Sequence, residues 1–440
     1  MSTDAPAFSN RAAFGRHLGS LGPFHMDLRL ARIQAALTGL GPAKPQAVVQ
    51  IVGTNGKGST SAFLSSILRA HGVATGLFTS PHLLSPRERI QVNGRPIRGR
   101  LWLDAANAVA AASPGAAAPG DVRELTYFEF LTAMAAHVFA ASGVCAAIYE
   151  AGLGARHDAT SALPRDLVLF APIGADHEKI IGPEVADIAG DKARAIDHGM
   201  IGLTALQTPT VMAVLASRAT GVGAALETAW ALPDWLADAP LALRGPFQAD
   251  NAALAVAGFL HLAPLLGLVP DADLIRDGLA RAFIPGRFQS VGSDPEVILD
   301  AAHNPHALTA LTAALAAKDV TPSALVFACM ADKNVAAMVP LATALTKGPI
   351  LLPALPDCPR AMAPAELAAL FGPRAKPVAS LAGALAALSG TASPVLVCGS
   401  LYLLAEFYKL RPRALFGQGE APPPPGPPPP GGMMPPDPPR

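Results

Sequence analysis

The stretch GTNGKGST, from Gly53 to Thr60, has the residue types of a loop that binds phosphate. Its glycines permit close approach of the backbone, Lys57 offers a point charge for the β- and γ-phosphates, and Ser59 or Thr60 can lie near a metal ion. The apolar run AVVQIV leads in and an apolar-periodic helix follows, so N–H groups at the helix start can hold phosphate. The spacing departs from the usual Gly, four residues, Gly-Lys-Ser/Thr. A glycine-rich turn without a ligand is the alternative.

Two more polar side chains follow apolar runs. Glu150 closes VCAAIYE and His177 closes LVLFAPIGADH, so both are expected at the carboxyl ends of buried strands. A carboxylate there is costly unless it binds a cation or accepts several hydrogen bonds. An isolated histidine at a strand end is more often hydrogen-bonded than metal-bound. The residues alone leave both alternatives open.

The second half of the chain repeats the arrangement in ILDAAHNPHAL. Asp300 is expected at a strand end, with Asn304 as the N-cap of the next helix and Pro305 in its first turn. Capping explains Asn304 and Pro305 without a function. It leaves Asp300 and His303 in a strand-to-helix loop, where α/β domains commonly contact the ribose or phosphates of a nucleotide.

The elements that position these residues alternate along the chain and predict an α/β fold with parallel strands. Apolar runs lie at 47–52, 146–149, 167–172, 297–299, 324–329 and 395–397, and helical patterns follow at 61–71, 307–318 and 401–410. The pattern breaks at FIPGRFQS, Phe283 to Ser290, where a new series begins. We therefore expect an ATP-binding domain at 1–285 and a second α/β domain at 286–416, with a cleft between them.

Composition limits the classes of partner. The chain has 440 residues, about half of them apolar, which suggests two domains, and its Lys+Arg and Asp+Glu counts are both 33. This balance argues against a nucleic-acid or anionic-membrane partner and favours small molecules. The four cysteines lack metal-like spacing and the N-terminus lacks a signal peptide, so a reduced, cytoplasmic setting is expected.

Two segments need separate interpretation. The run from Ala252 to Val269 approaches the length of a membrane span, but His261 and Pro264 favour a buried helix that ends near Pro264. From residue 417 the sequence is dominated by proline and glycine, which predicts a disordered tail over 417–440. It is either dispensable or a ligand for a proline-binding module.

Taken together, these stretches resemble the folylpolyglutamate synthase/dihydrofolate synthase family, relatives of the Mur peptide ligases. The likeness runs through roughly residues 25 to 410. GTNGKGST is similar to the family's variant phosphate loop. The accompanying motifs, in order, are FTSPHL (78–83), RERI (87–90), EAGLGARHDAT (150–160), ADH (175–177), DKARAI (191–196), GPFQADNAALA (245–255), PGR (285–287) and LDAAHNP (299–305).

The resemblance implies a P-loop-type Mur-ligase central ATPase domain followed by a smaller Rossmann-like α/β domain. It also implies ATP-dependent amide ligation, in which a pterin-linked carboxylate becomes an acyl phosphate that the amine of L-glutamate attacks. Dihydropteroate, reduced folates and L-glutamate would be the small-molecule substrates of a cytoplasmic monomer. ATP and two Mg²⁺ ions are the implied cofactors.

Read residue by residue, the resemblance also assigns the site. The nucleotide-binding positions would be Gly53, Thr54, Asn55, Gly56, Lys57, Gly58, Ser59, Thr60, Asn251, Arg287 and Asp300. Lys57, Lys192 and His303 would be catalytic, with Lys192 carbamylated, and Ser80, Glu150 and His177 would hold magnesium. Magnesium prefers oxygen ligands, which favours Ser80 and Glu150 on chemical grounds. His177 as a ligand rests on the resemblance.

The sequence also departs from the family's usual residues at several positions. Ala155 and Ala301 replace common glycines, Phe247 replaces a histidine, and Ala193-Arg194 replaces Ala-Gly after the lysine.

Three alternatives for the function stay open. The first alternative is a family member with only one of the two activities. The second is a Mur-type ligase acting on a nucleotide-sugar peptide, against which we note that only some fifty residues precede the loop. The third is a nucleotide-dependent switch without ligase activity.

Overall fold

The computed structural model of this chain describes residues 7–22, 28–113, 125–175, 181–245, 247–292, 295–356, 358–391 and 394–415. The described chain forms two compact units, one of which takes in the residues up to Ala242 and then Phe247–Ala282. The other holds 243–245 and the described residues from Phe283 onward. The predicted functional boundary after residue 285 stays a prediction, and the tail at 417–440 lies outside the described residues.

The first unit is built on an eight-stranded sheet with the order β4-β3-β2-β5-β1-β6-β7-β8. All neighbours from β2 to β8 pair in parallel, whereas β3 and β4 extend one edge with antiparallel pairs. The strands are β1 (Ala47–Val52), β2 (Thr75–Phe78), β3 (Ile90–Val92), β4 (Arg95–Pro96), β5 (Ala146–Glu150), β6 (Leu167–Phe170), β7 (Ile201–Thr204) and β8 (Ala225–Thr228).

Helices cover this sheet because its central strands are apolar on both faces. Every residue of β1, β5 and β6 is buried, which is typical of parallel strands packed between helices. The helices of the unit are Arg11–Ser20, Ala31–Leu40, Lys57–Ala70, Gly99–Ala112, Tyr127–Ala141, Val185–Ala193, Pro209–Gly221, Gln248–Leu262 and Ala272–Arg281.

The apolar run at 252–269 is part of this core. The helix Gln248–Leu262 ends shortly before Pro264, as the sequence predicts, and ten of its residues are buried, among them Leu254 and Phe259. Within the described ranges, no helix is long and apolar enough to cross a membrane.

The second unit has a six-stranded sheet with the order β13-β12-β11-β14-β10-β9. Its pairs are parallel except for the edge pair of β9 with β10. The strands are β9 (Gln289–Val291), β10 (Val297–Leu299), β11 (Ala324–Phe327), β12 (Ile350–Pro353), β13 (Ala375–Val378) and β14 (Val395–Cys398). The helices are Pro305–Ala316, Val335–Ala344, Pro364–Phe371, Leu381–Ala387 and Leu401–Leu410.

The α/β class is confirmed, and the differences from the predicted bounds have local causes. The first helix after β1 begins at Lys57 rather than at 61, because the residues after Gly56 already belong to its first turn. The helix predicted at 307–318 begins at Pro305, directly after its cap Asn304. The antiparallel edge strands β3, β4 and β9 are two or three residues long, too short to give a periodic signal.

Candidate functional site

The loop Gly53–Gly56 leaves the carboxyl end of the central strand β1, and its glycines are required by close contacts. Gly56 has φ +84°, a left-handed conformation that favours glycine. A Cβ there would lie 2.3 Å from Oδ1 of Asn251, and a Cβ at Gly53 would lie 2.8 Å from the carbonyl oxygen of Ala171. Asn251, a predicted nucleotide contact, is therefore packed directly against the loop. It is buried and donates from Nδ2 to Gln248 Oε1 at 3.1 Å.

The helix Lys57–Ala70 starts at this loop without a side-chain cap. Its N-cap is Gly56, which has no side chain to accept from the first turn, and that turn contains no acidic residue. The N–H of Thr60 donates to the Gly56 carbonyl at 2.9 Å as the first intrahelical bond. N–H groups ahead of that bond have no intrahelical acceptor, and the helix dipole gives this end a positive partial charge. Gly58 and Ser59 thus contribute backbone donors suited to phosphate oxygens.

The Lys57 side chain folds back over the same loop. Its Nζ donates to the carbonyl oxygens of Gly53 at 3.0 Å and Thr54 at 3.2 Å. A lysine ammonium has three donors, so one remains for a ligand when both carbonyl bonds are kept. The amine is therefore held where the loop and the helix start converge, which fits a triphosphate.

The loop after β6 braces the phosphate loop from the other side. The N–H groups of Thr54 and Asn55 donate to the Pro172 carbonyl at 2.9 and 3.2 Å. The Thr54 hydroxyl donates to the Gly174 carbonyl at 3.0 Å and accepts from the Gly174 N–H at 3.1 Å. Thr54 therefore positions the neighbouring loop, a role distinct from the ligand contact predicted for it. His177, three residues beyond Gly174, lies outside the described residues.

Glu150 ends β5 beside the phosphate loop, as the sequence predicts. It pairs in register with Ile51 of β1 and is only 5% exposed. Its Oε2 accepts from the backbone N–H of Ser80, which follows β2, at 3.2 Å. Two of the three predicted magnesium ligands are therefore adjacent.

The donor set at this point suits magnesium. A carboxylate and a hydroxyl are oxygen ligands, and magnesium usually keeps several waters in its remaining positions. Among the described residues there is no group of three His, Cys, Asp or Glu side chains arranged to hold a metal ion. A site here would accordingly have few protein ligands, with His177 outside the described part of the chain.

Lys192 is buried, with 5% exposure, in the last turn of the helix Val185–Ala193. The preceding residue, Asp191, accepts from the Ala155 N–H at 2.8 Å through Oδ2. Gly154 has φ +65°, and a Cβ there would lie 2.1 Å from that same oxygen. The helix that carries Lys192 is thus tied to the loop that follows Glu150. Arg194, which departs from the family pattern, is exposed at the end of the helix.

In the second unit, Asp300 follows β10 and organises the turn around it. Its Oδ2 accepts from the Phe288 N–H at 3.0 Å and its Oδ1 accepts from the Ala302 N–H at 2.8 Å. Burial raises the pKa of the Asp300 carboxyl, while the charge of Arg287 and the two backbone bonds act in the opposite direction. Arg287 itself is exposed. Asp300 therefore has a structural task in addition to the nucleotide contact predicted for it.

His303 lies in the same strand-to-helix loop. Its Nδ1 is 2.7 Å from the Ala301 carbonyl, and because a carbonyl can only accept, Nδ1 carries the proton of this bond. In the neutral ring, Nε2 is then the nitrogen with a lone pair. Asn304 caps the following helix by accepting from the Ala307 N–H at 2.8 Å, as predicted.

Sequence reasoning missed two buried polar groups that hold the loop after Glu150. Asp158 accepts from the N–H groups of Gly152 and Leu153 at 2.8 and 3.0 Å. Burial raises the pKa of the Asp158 carboxyl, whereas these hydrogen bonds act to lower it. Gln50 donates to the Thr160 hydroxyl at 2.8 Å. The signal for Gln50 was available, because it is the one polar residue in AVVQIV and is 1% exposed.

Comparisons with known proteins connect this geometry to a family. The family described as Mur ligase, glutamate ligase domain, matches residues 286–401. The dihydrofolate synthase/folylpolyglutamate synthase of Escherichia coli is 34% identical over 350 residues, which cover 75% of this chain and 78% of that protein. The structure described as E. coli FolC in complex with DHPP and ADP matches with a TM-score of 0.79 and 30% identity, over 93% of this chain and 99% of that one.

A longer relative also matches. The probable bifunctional folylpolyglutamate synthase/dihydropteroate synthase of Halobacterium salinarum is 34% identical over 385 residues, or 81% of this chain. The match takes in 46% of that protein, and a counterpart from Haloferax volcanii is matched over 47% of its length. This chain therefore spans about half the length of these two relatives.

Proposed function

The chain belongs to the dihydrofolate synthase/folylpolyglutamate synthase family, and we propose that it is an ATP-dependent ligase that adds L-glutamate to folate-type carboxylates. The acceptors would be dihydropteroate and the γ-carboxylates of reduced folates, which would give dihydrofolate and folylpolyglutamates. The observation that carries the proposal is the glycine-started helix after β1, with the Lys57 amine held over its N-terminus. The ADP in the matched E. coli structure supports a nucleotide at this loop.

The reaction would proceed in two steps. The acceptor carboxylate attacks the γ-phosphorus of ATP, the bond to the β-phosphate oxygen breaks, and an acyl phosphate and ADP form. The glutamate amine then attacks the acyl carbon, phosphate leaves with its oxygen, and the amine loses a proton. Lys57 and the first-turn N–H groups would stabilise the charge on the phosphoryl oxygens, because their positions are fixed before the reaction.

We propose Ser80 and Glu150, together with His177, as the residues that hold magnesium. The adjacency of Ser80 and Glu150 supports this assignment for two of the three. Magnesium, when bound, would neutralise charge on the phosphate oxygens. Glu150 supports the site further by fixing the backbone at Ser80, so that the loop after β2 lies at the carboxyl end of β5.

We also propose that Lys192 is carbamylated in the active enzyme. A carbamate forms when a neutral amine attacks carbon dioxide and loses a proton, and the product is a carboxylate on a long side chain. The burial of Lys192, beside the helix contact of Asp191 with Ala155, supports a specific internal role. Such a carboxylate would be an oxygen ligand for a second magnesium ion.

Lys192→Ala tests this assignment with and without a short added carboxylate such as acetate. We expect turnover to fall about 100-fold, a size typical of losing a metal-positioning group, and to recover in part with acetate. Mass spectrometry of the native protein under carbon dioxide should give the mass of the carbamate. An unimpaired alanine variant together with an unmodified lysine would refute the assignment.

Arg287, Asp300 and His303 would contact the nucleotide from the second unit. The charge of Arg287 is suited to phosphate oxygens, whereas the lone pair at His303 Nε2 can accept a hydrogen bond from a hydroxyl of the nucleotide, and Asp300 positions the turn that carries them. In-line transfer is assisted by charge around the γ-phosphate and by exclusion of water, so we propose that these residues act on the γ-phosphate side of the nucleotide. A nucleotide-bound structure in which none of the three residues contacts ATP would contradict this part.

The experiment that tests the proposed function is a ligation assay with ATP, L-glutamate and either dihydropteroate or tetrahydrofolate. Release of phosphate with both acceptors indicates the bifunctional enzyme, and release with only one indicates a monofunctional member. The relatives support these acceptors over a nucleotide-sugar peptide, which serves as a third acceptor in the assay. ATP binding without phosphate release in any arm would indicate a nucleotide-dependent switch and would refute the ligase. We propose a cytoplasmic monomer without nucleic-acid or membrane partners.

A further inference from the structure

The neutrality of the whole chain conceals a basic segment between β2 and the helix Gly99–Ala112. Lys+Arg and Asp+Glu both total 33 in the chain, but residues 86–100 contain five arginines and a single acidic residue. The arginines are Arg87, Arg89, Arg95, Arg98 and Arg100, and the acidic residue is Glu88. None of these is needed for the proposed phosphate chemistry.

The fold adds a further arginine to this segment. Arg11, the first residue of the helix Arg11–Ser20, lies against Gly99, where a Cβ would be 2.7 Å from Arg11 Nη1. Arg87 lies close enough to Arg11 for the charge of Arg11 to affect the pKa of Arg87. Burial first, and then the charge of Arg11, lower the pKa of the Arg87 guanidinium, while Glu88 acts in the opposite direction. Arg11 therefore lies against the basic segment at Gly99, and its charge acts on Arg87.

Backbone pairing holds Arg98 in the same region. The Ile97 N–H donates to the Ile90 carbonyl at 3.1 Å, so the residue before Arg98 is bonded to the end of the turn Pro86–Arg89. Arg98 is exposed, and it is the N-cap residue of the helix whose first residue contacts Arg11.

Glu88 is the acidic residue that acts on Arg87, but it forms no ion pair with either arginine. Neither guanidinium makes an ion pair with a carboxylate in the described chain, and Arg87 has only a long hydrogen bond of 3.5 Å from Nε to the Ser85 hydroxyl. The nearest acid, Glu88, accepts from three backbone N–H groups at 2.6 to 2.9 Å, those of Leu83, Leu84 and Ser85. Two adjacent cations without a paired carboxylate are costly unless an anion binds them.

A closed loop connects this cation pair to the proposed reaction site. The Thr79 N–H donates to the Arg89 carbonyl at 2.9 Å, which joins the two ends of the loop. Ser80, near one end, donates its N–H to Glu150, and Arg87 lies near the other end. Arg87 lies seven positions after Ser80 in sequence, so a fully extended chain would place them at most about 25 Å apart. A substrate with several carboxylates in a row can span that distance.

We propose that Arg11 and Arg87 form a binding site for the carboxylates of the oligo-γ-glutamate tail of a folate substrate. The inference rests on the proposed function, and it adds where the tail lies and which residues recognise it. The acceptor γ-carboxylate lies at the phosphate loop, and α-carboxylates of preceding glutamyl residues bind the guanidinium pair. Guanidinium groups suit this ligand because their planar donors can bind a carboxylate through two parallel hydrogen bonds.

The test measures binding and kinetics separately on the full chain. Penta-γ-glutamate is titrated calorimetrically into the wild type, Arg11→Gln, Arg87→Gln and the double variant, at low and at physiological salt. We expect each single change to raise the Kd about five- to tenfold, as for the loss of one charge-assisted contact. Arg281→Gln is the matched control. Arg281 is an exposed arginine in the helix Ala272–Arg281, where it pairs with Asp277 four residues earlier. Its Kd should equal that of the wild type.

Kinetics then separate this proposal from the proposed function. For each enzyme we take the ratio of KM for a reduced folate with three glutamyl residues to KM for the monoglutamate. This ratio should be about five- to tenfold higher in the variants than in the wild type. Equal KM ratios in the variants and the wild type, with no change in pentaglutamate binding, would overturn the tail site while ligase activity stands. A single-stranded oligonucleotide that binds as tightly and depends on both arginines would overturn it as well. Pentaglutamate binding without ligation would instead refute the proposed function alone.

Discussion

Two strand-to-helix loops of the molecule start alike and differ at the helix. Both follow a buried parallel strand, β1 in the first unit and β10 in the second. In the first, the helix Lys57–Ala70 has a glycine at its N-cap and no side-chain cap. In the second, Asn304 caps the helix Pro305–Ala316, and Pro305 occupies a position where a missing N–H costs nothing.

The difference separates two ways of building a ligand site. The first loop offers backbone groups at the helix start. The N–H groups of Gly58 and Ser59 and the positive helix end are available to an anion because no side chain caps them, whereas Thr54 and Asn55 donate to Pro172. The second loop uses its backbone donors internally, in the bonds of Asp300 and Asn304, and offers side chains instead. We infer that the first loop provides the main phosphate affinity and that the second orients groups toward the ligand.

Lys57→Ala should give the largest effect in this comparison. In the proposed reaction the amine stabilises charge on the transferring phosphoryl group, and the loss of one such donor would lower turnover about 10²- to 10³-fold. The variant also loses the bonds to Gly53 and Thr54, worth on the order of 1 kcal/mol each in unfolding free energy. Turnover and thermal unfolding are measured together, with Lys44→Ala as control, since Lys44 pairs with Asp166 on the surface. Near-normal turnover would refute the role of Lys57.

Gly56→Ala tests whether the uncapped helix start needs its glycine. The left-handed φ of Gly56 costs a side-chain residue roughly 1–2 kcal/mol, and the new Cβ would clash with Asn251. Gly72→Ala is the matched control, because Gly72 has φ +76° with nothing within 4 Å of its Cβ position. Both variants should lose the stability that the left-handed φ costs, and Gly56→Ala should lose more, because only its Cβ meets Asn251. Only Gly56→Ala should lower turnover, by roughly tenfold to 100-fold, because the loop is misplaced; equal turnover in the two would contradict the comparison.

Much of this geometry follows from the sequence because it is local. The bounds of β1 and β10 agree with the predicted runs, and Asn304 caps its helix as predicted. Glu150 ends its strand because an apolar run stops at a charged residue. The family resemblance is confirmed by the comparisons, whereas the individual ligand contacts remain predictions.

What the sequence did not predict depends on contacts between distant residues. The burial of Lys192 cannot be deduced from its polar neighbours Asp191 and Arg194, since it depends on how the helix packs against the loop at Ala155. The approach of Arg11 to Gly99, within the basic segment, joins residues far apart in sequence. A net charge of zero even argues against such a patch, because a total charge carries no information on its distribution.

Asn304→Ala should have a smaller effect than either change in the first loop. Loss of an N-cap costs about 1 kcal/mol in unfolding free energy. Ser380→Ala is the control, because Ser380 caps another helix of the same unit by accepting from the Gly383 N–H at 3.1 Å. Both variants should be destabilised alike, and turnover of Asn304→Ala should fall by less than about tenfold, since His303 keeps its bond to Ala301. A drop as large as that of Lys57→Ala would show that the second loop is as important for phosphate transfer as the first.

Asp300→Asn should give the smallest effect, and we measure it as a dependence of stability on pH. Burial raises the pKa of Asp300 above its unfolded value of about 3.9, so the folded state binds this proton more tightly than the unfolded state does. The stabilisation from that proton is present below the unfolded pKa and is lost as the pH rises through the folded pKa. Asparagine cannot ionise, so the unfolding free energy of the variant, relative to wild type, should increase from pH 4 to pH 7. The exchange also loses one acceptor for the N–H groups of Phe288 and Ala302, but that cost does not vary with pH.

Asp238→Asn is the control with the opposite sign, because hydrogen bonding and charge from Arg276 lower the pKa of that exposed carboxyl. Denaturant titrations at both pH values measure the two differences. A relative stability of Asp300→Asn that falls between pH 4 and pH 7 would mean that Arg287 and the backbone donors outweigh burial, and Asp300 would then be a permanently charged partner of the second loop.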